Sequence, residues 1–134
     1  MANVLYDLGR QAFLEADLDW TGQDMRVILV DTGAYTFSQA HQFLSSVPGG
    51  ARIAVSGALT GKTATIGVAD ADDVTFTAVT GAQSEALIIY QHTGVDGTSR
   101  LVAYIDTATG LPITPNGGNI TVVWDAGANR IFKL

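Results

Sequence analysis

The first 32 residues read MANVLYDLGRQAFLEADLDWTGQDMRVILVDT, from Met1 to Thr32. Apolar residues recur there at spacings of three and four, which predicts one face of a helix made by Val4, Leu5, Leu8, Ala12, Phe13 and Ala16. Asn3 is the predicted N-cap, and Gly9 weakens the helix, which therefore needs packing to persist. Residues 17–24 predict a loop in which Trp20 folds back onto the body. Met25 to Val30 is short, β-branched and apolar on both faces, which predicts a buried strand.

Strand patterns dominate the rest of the chain. Alternation of apolar residues with polar or small ones, mostly threonine, or a short apolar run, predicts strands at Arg52–Ser56, Lys62–Val68, Val74–Val79, Glu85–Tyr90, Leu101–Ile105, Ile120–Trp124 and Ile131–Leu134. A second helix is predicted from Ser38 to Ser46, with Ala40, Phe43 and Leu44 facing inward and Pro48 ending it. The pattern therefore predicts a mainly β protein, an antiparallel β-sandwich or barrel of about seven or eight strands with a short N-terminal helix. Because no linker or repeat interrupts it, residues 1–134 are expected to form a single domain.

The charge of the chain argues against two classes of partner. The formal net charge is −6, and the few basic residues are scattered at Arg10, Arg26, Arg52, Lys62, Arg100, Arg130 and Lys133. Nucleic-acid binding relies on clustered lysine and arginine that neutralise phosphates, so we expect no nucleic-acid partner and no anionic membrane. Only 15% of the residues are charged, which also suits a subunit whose surface is partly covered by neighbours.

Cysteine and targeting features are missing from the sequence. The absence of cysteine removes disulfides, thiolate nucleophiles and cysteine-ligated zinc. The N-terminus carries no basic region followed by a long apolar stretch, and no apolar run reaches the length of a membrane span. We therefore expect a soluble product that is made in a cytoplasm.

The segment Gly57–Thr63, Gly-Ala-Leu-Thr-Gly-Lys-Thr, is similar to a phosphate-binding loop. It is one residue short between its glycines, and a strand pattern follows where the motif needs a helix. A hairpin turn is the preferred interpretation, and no nucleotide cofactor is expected.

Two groups of acidic residues, and two isolated aspartates, are candidate cation ligands. Asp70, Asp72 and Asp73 lie together, but the spacing, glycine and terminal glutamate of an EF-hand are missing. Glu15, Asp17 and Asp19 form a second group, and Asp106 and Asp125 are isolated residues at strand ends. Acidic turns of this kind are usually solvated, so no metal site is expected.

The histidines and aromatic residues offer two further hypotheses. His41 lies near Ser45 and Ser46 in sequence, and His92 is the only other histidine, but no nucleophile motif accompanies either residue. We therefore expect no catalytic residues and no enzymatic activity. Exposed aromatic residues could form a sugar-stacking platform, although such residues on strands usually belong to a core or an interface; the candidates are Trp20, Tyr35, Tyr90, Tyr104 and Trp124.

Several blocks of the chain resemble small virion proteins of tailed bacteriophages. The opening stretch is the first of them, with its glycine-containing helix, its acidic patch ending in Trp20 and its Val-Ile-Leu-Val-Asp-Thr strand. The other resembling blocks are residues 47–54, 69–79, 101–112, 114–124 and 129–134. Together they cover most of the chain and are similar to capsid cement proteins, also called decoration proteins, which clamp neighbouring capsomers from the outside of a shell.

The resemblance implies a function that the residues alone do not. It implies a non-enzymatic cement protein on the capsid surface of the virion, with the major capsid protein as partner and a homotrimer as the assembled form. A neck or tail component is the alternative within the same class, and a glycan-binding host-recognition module is the alternative from another class. The resemblance assigns no role to any single residue.

Overall fold

The computed structural model describes residues 4–107, 110–124, 127 and 130–134, and within them the protein is mainly β. One α-helix, α1, spans Asp7–Leu14. The strands are β1 (Val4–Leu5), β2 (Met25–Val30), β3 (Arg52–Val55), β4 (Val68–Ala69), β5 (Val74–Phe76), β6 (Ala86–Gln91), β7 (Leu101–Ile105), β8 (Ile120–Val122) and β9 (Phe132–Lys133). Every pair of these strands is antiparallel. The predicted fold class is confirmed.

A central sheet of five strands, in the order β1-β7-β6-β2-β3, organises the molecule. Strand β2 pairs with β6 along its whole length, from Met25 opposite Gln91 to Val30 opposite Ala86. The other two sheets are pairs, β5 with β8 and β4 with β9.

One face of the central sheet packs against the two smaller pairs. Val27 and Leu29 of β2 and Leu87 and Ile89 of β6 belong to one buried cluster with the inward residues of the other elements, namely Val74, Phe76, Val122, Trp20 and Ile131. The layers packed face to face make a sandwich-like arrangement. The central sheet is not a closed barrel, because β1 and β3 are its two edges.

The opposite face of the central sheet is covered by the long connection between β2 and β3. Ile28, Val30 and Ile88 point to this side and pack under Tyr35, Leu44 and Val47. Both faces of β2 are therefore buried, which explains why its sequence is apolar at every position but Arg26 and not at alternate ones.

The N-terminal helix begins later than predicted. Val4 and Leu5 are extended and pair with Tyr104 and Ala103 of β7, and Tyr6 is the N-cap of α1. Asn3, the predicted cap, lies outside the described residues. The prediction was wrong here because Val4 and Leu5 satisfy their backbone groups on the sheet edge, which a periodicity argument from apolar side chains does not take into account.

The glycine inside α1 lets the helix lie directly on the sheet. A Cβ atom at position 9 would lie 2.6 Å from the carbonyl oxygen of Leu101. The residue that weakens the isolated helix is thus the one that permits its closest approach to β7.

The helix predicted from Ser38 to Ser46 is not formed. Phe43 is extended and bridges to Arg100, and only Leu44–Ser46 makes a single 3-10 turn. The Leu44 N–H donates to the Ser99 carbonyl, and the Leu101 N–H donates to the Gln42 carbonyl. These bonds to the start of β7 replace helical ones, so tertiary pairing overrides the local pattern.

The strand predicted from Lys62 to Val68 is mostly absent as well. Only Val68 lies in a strand, paired with Lys133 of β9, and Thr65–Gly67 is a 3-10 turn. Ile66 and Gly67 both have positive φ angles, of 55° and 73°, which an extended strand does not allow. The Ile131–Leu134 strand is confirmed as β9, although it is shorter than predicted.

In the part of the chain that the structure describes, no helix is long and apolar enough to cross a bilayer.

Candidate docking surface

The glycine-rich segment Gly57–Thr63 does not form a phosphate-binding loop. Thr63 forms an isolated bridge with Asp70, and no α-helix starts there. The Thr60 hydroxyl donates to Asp72 at 3.0 Å, and a Cβ atom at Gly61 would lie 2.4 Å from the same carboxylate. A carboxylate against the loop repels phosphate. The hairpin interpretation is also wrong, because β3 pairs with β2 and not with the segment that follows the loop.

The three aspartates at positions 70, 72 and 73 serve three different structural purposes. Asp70 pairs with Arg130 at 3.5 Å, Asp72 accepts from Thr60, and Asp73 accepts from the Trp124 backbone N–H at 3.0 Å. Among the described residues, no group of three histidine or acidic side chains is placed to hold a metal ion.

The second acidic group is also engaged in local contacts. Glu15 accepts from Gln11 at 2.8 Å, Asp17 pairs with Arg100 at 3.7 Å, and Asp19 accepts from the Gly22 N–H at 3.1 Å. Asp106 follows the end of β7, and Asp125 lies outside the described residues.

The rings of both histidines lie within hydrogen-bond distance of tyrosine hydroxyls. His41 Nδ1 lies 2.8 Å from the Tyr35 hydroxyl, which lies 3.1 Å from the hydroxyl of the fully buried Tyr6. Burial raises the pKa of Tyr6 and of Tyr35 above the ordinary tyrosine value. His92 Nδ1 lies 3.4 Å from the Tyr90 hydroxyl. The contacts of His41 and Tyr35 pin the connection between β2 and β3 over the sheet, whereas His92 contacts a tyrosine only two residues away, at the end of β6. Neither arrangement resembles a nucleophile with its base.

The five aromatic residues proposed for a sugar platform are core residues. Their side chains are all buried, namely Trp20, Tyr35, Tyr90, Tyr104 and Trp124. The two indole N–H groups donate to backbone carbonyls, Trp20 to Asp70 and Trp124 to Asp72. The platform hypothesis therefore fails for these residues, and the core alternative is confirmed.

An apolar groove of about 460 Å³ opens where the end of α1 meets β9. We call it the Trp20 groove; it is lined mainly by Phe13, Leu18, Trp20, Ala69, Phe132 and Leu134. The Phe132 ring packs edge-on against Trp20, with ring centroids 5.2 Å apart, and against Phe13 at 6.0 Å. The floor of the groove is thus fixed by aromatic contacts.

Large apolar side chains protrude around this groove. Ile66 is 85% exposed, on the turn Thr65–Gly67 that separates the Trp20 groove from a second groove of about 490 Å³. Leu134, which lines the Trp20 groove, is 59% exposed. An apolar groove beside protruding apolar side chains is typical of a surface that binds another protein.

The backbone conformation of Ile66 is unfavourable for isoleucine. A positive φ is unusual for any residue except glycine, and for a β-branched side chain it is an outlier. Such strain costs on the order of 1–3 kcal/mol, and the exposed side chain recovers nothing by burial within the chain. The sequence retains an apolar residue at a position where glycine or asparagine would fit the backbone better.

Charges of opposite sign lie on the two sides of the Ile66 turn. Asp19 lines the Trp20 groove, and the exposed Glu15 and Asp17 are close to it in sequence. Arg130 and Lys133 line the second groove, together with Ile66 itself and with Asp70, which pairs with Arg130. This side therefore carries two positive charges and one negative charge.

Sequence reasoning missed this surface because the alternation of Lys62 to Val68 places Ile66 on the same side of a strand as Val68. The signal that could have shown otherwise is Gly67, since a glycine inside a strand pattern often marks a break. The sequence matches no protein family model and shows no significant similarity to any curated protein.

Proposed function

We propose that this protein is a non-enzymatic capsid cement protein of a tailed bacteriophage. It binds the outer surface of the capsid, has the major capsid protein as its partner, acts as a homotrimer and stabilises the contacts between capsomers. The observation that carries the proposal is the exposed apolar surface around the Trp20 groove, which is typical of a subunit that assembles with other protein chains, on a mainly β body that resembles cement proteins in its sequence.

The rigidity of the body supports this role. A cement protein works by adding contacts across a boundary, and symmetry multiplies each contact over the shell. Such contacts need a surface that does not lose its shape, and here the central sheet is buried on both faces by packed side chains.

The charge distribution supports a protein partner in place of a nucleic acid. Four arginines are already paired with aspartates within the chain, namely Arg26 with Asp24, Arg52 with Asp96, Arg100 with Asp17 and Arg130 with Asp70. These arginines are partly neutralised, so little basic surface is available to contact phosphates.

Binding to expanded empty shells of the phage that encodes the chain tests the proposal. We expect the purified protein to bind these shells cooperatively and to raise the temperature at which they open, because each bound copy bridges neighbouring capsomers. Unexpanded shells serve as the control and are expected to bind less protein. Shells that neither bind the protein nor gain heat resistance would contradict the proposal.

A further inference from the structure

The Trp20 groove and the Ile66 turn present complementary shapes on one molecule. The groove is concave, apolar and walled by aromatic rings, and next to it an isoleucine side chain projects almost fully into solvent. A side chain of this kind fits a groove of this kind, and the chain carries both.

The charges beside these features are complementary as well. When Ile66 of one molecule enters the Trp20 groove of another, Lys133, which flanks Ile66, approaches the acidic side of that groove at Asp19. Arg130 lies on the same flank but is already paired with Asp70, so Lys133 supplies the positive charge that is unpaired among the described residues. Opposite charges then meet across the contact, which favours this orientation over one that brings like charges together.

We infer that copies of this chain associate with one another through this surface, with Ile66 of one copy seated in the Trp20 groove of the next. A second copy is the occupant that the structure favours, because the protruding side chain, the groove and both signs of charge are all present on this chain. The threefold symmetry of the assembly rests on the proposed function. In such a trimer, each copy places its Ile66 in the groove of one neighbour, and its own groove holds the Ile66 of the other neighbour.

The strained backbone at Ile66 supports an interface role. An apolar side chain held in an unfavourable conformation and exposed in the single chain gains its burial only when a partner covers it. Ile66 is therefore expected to act as the anchor of the contact, a residue whose loss weakens association more than the loss of its neighbours.

The experiment is analytical ultracentrifugation of the purified protein over a wide concentration range. Ile66→Asn is the informative variant, because asparagine adopts the left-handed conformation readily and removes the apolar side chain. We expect it to fold at least as stably as the wild type in dilute solution, by urea unfolding, and to raise the dissociation constant of the oligomer about tenfold or more.

A second variant and a control complete the design. Leu134→Asn changes another exposed residue of the groove and is expected to weaken association in the same direction. Val95→Asn is the control. Val95 is as exposed as Leu134 but lines neither groove, so this variant is expected to leave association unchanged.

The outcomes separate this inference from the proposed function. The inference is overturned if the wild type remains a monomer at its highest soluble concentration, or if Ile66→Asn associates like the wild type. In the second case, a loss of shell binding by Ile66→Asn would assign the surface to the capsid protein. If the variants dissociate as expected but the wild-type oligomer does not bind shells, the association surface stands and the cement function fails.

Discussion

Gly9 and Ile66 are the two residues at which local backbone preference and tertiary structure conflict most directly. The sequence identifies Gly9 as a weak point of a helix, but only the structure shows that the Leu101 carbonyl occupies the space where a side chain would begin. Ile66 fits an alternating strand pattern and was predicted to lie in a strand, whereas it lies on an exposed turn. The conformation at each residue depends on segments that are distant in the sequence, and local sequence patterns do not reveal these.

Gly9→Ala is expected to destabilise the protein, although alanine favours a helix by about 1 kcal/mol. The added methyl group would lie 2.6 Å from a backbone oxygen that cannot move aside without shifting β7. Overpacking of this kind costs about 1–3 kcal/mol, so we expect the free energy of unfolding to fall in urea titrations.

Gly57→Ala is the control for Gly9→Ala. No atom lies within 4 Å of a Cβ at position 57, and the change is expected to be nearly neutral. A Gly9→Ala variant that is more stable than the wild type would show that α1 does not lie against Leu101 in this way.

At the scale of whole elements, the strands with both faces buried were predicted best. Residues 25–30 and 101–105 were assigned to strands from their apolar runs and correspond residue for residue to β2 and β7. The segments assigned from weaker patterns, residues 38–46 and 62–68, differ because hydrogen bonds to distant strands or left-handed residues decide their conformation. The candidate docking surface combines α1, the Ile66 turn and β9, so no single segment could predict it.

The C-terminal strand β9 is expected to contribute to stability. It pairs with β4, Ile131 is buried, and Phe132 packs against Trp20. Deleting residues 131–134 should lower the free energy of unfolding by at least about 1.5–3 kcal/mol, the contribution of one buried aliphatic side chain, with a lower melting temperature. Lys133→Ala, which changes an exposed residue of the same strand, should have little effect. If the truncated chain melts and assembles like the full one, β9 has no structural role.

At the scale of the whole molecule, all four tyrosines make the fold sensitive to alkali. Burial is the largest cause that raises the pKa of Tyr6, Tyr35, Tyr90 and Tyr104 above the ordinary value of about 10. Above that pH the unfolded chain loses protons that the folded chain retains, so the free energy of unfolding falls as the pH rises. Below it, the contribution is fully present.

Urea unfolding between about pH 8 and pH 11 measures this effect, with tyrosinate absorbance as the second readout. We expect the unfolding midpoint to fall above about pH 10 and tyrosinate to form only as the chain unfolds. Tyrosinate absorbance at about pH 10 in a protein that keeps its native circular dichroism would contradict the burial of these residues.

The fold is expected to need neither nucleotide nor metal. The Gly57–Thr63 loop packs against Asp72, and the nearby aspartates are engaged with protein groups. We therefore expect the melting temperature to stay unchanged with ATP and Mg²⁺ and with a chelator. A rise of several degrees with the nucleotide, or a collapse with the chelator, would reveal a bound ligand that this account lacks.

The position of the protein on the virion tests the central claim most directly. Electron microscopy of virions carrying gold-labelled protein, or an antibody against it, shows where the copies lie. The cement function predicts label spread over the whole outer surface of the capsid, at many symmetry-related positions. Label confined to the tail or to a single vertex would contradict it and favour a neck or tail component.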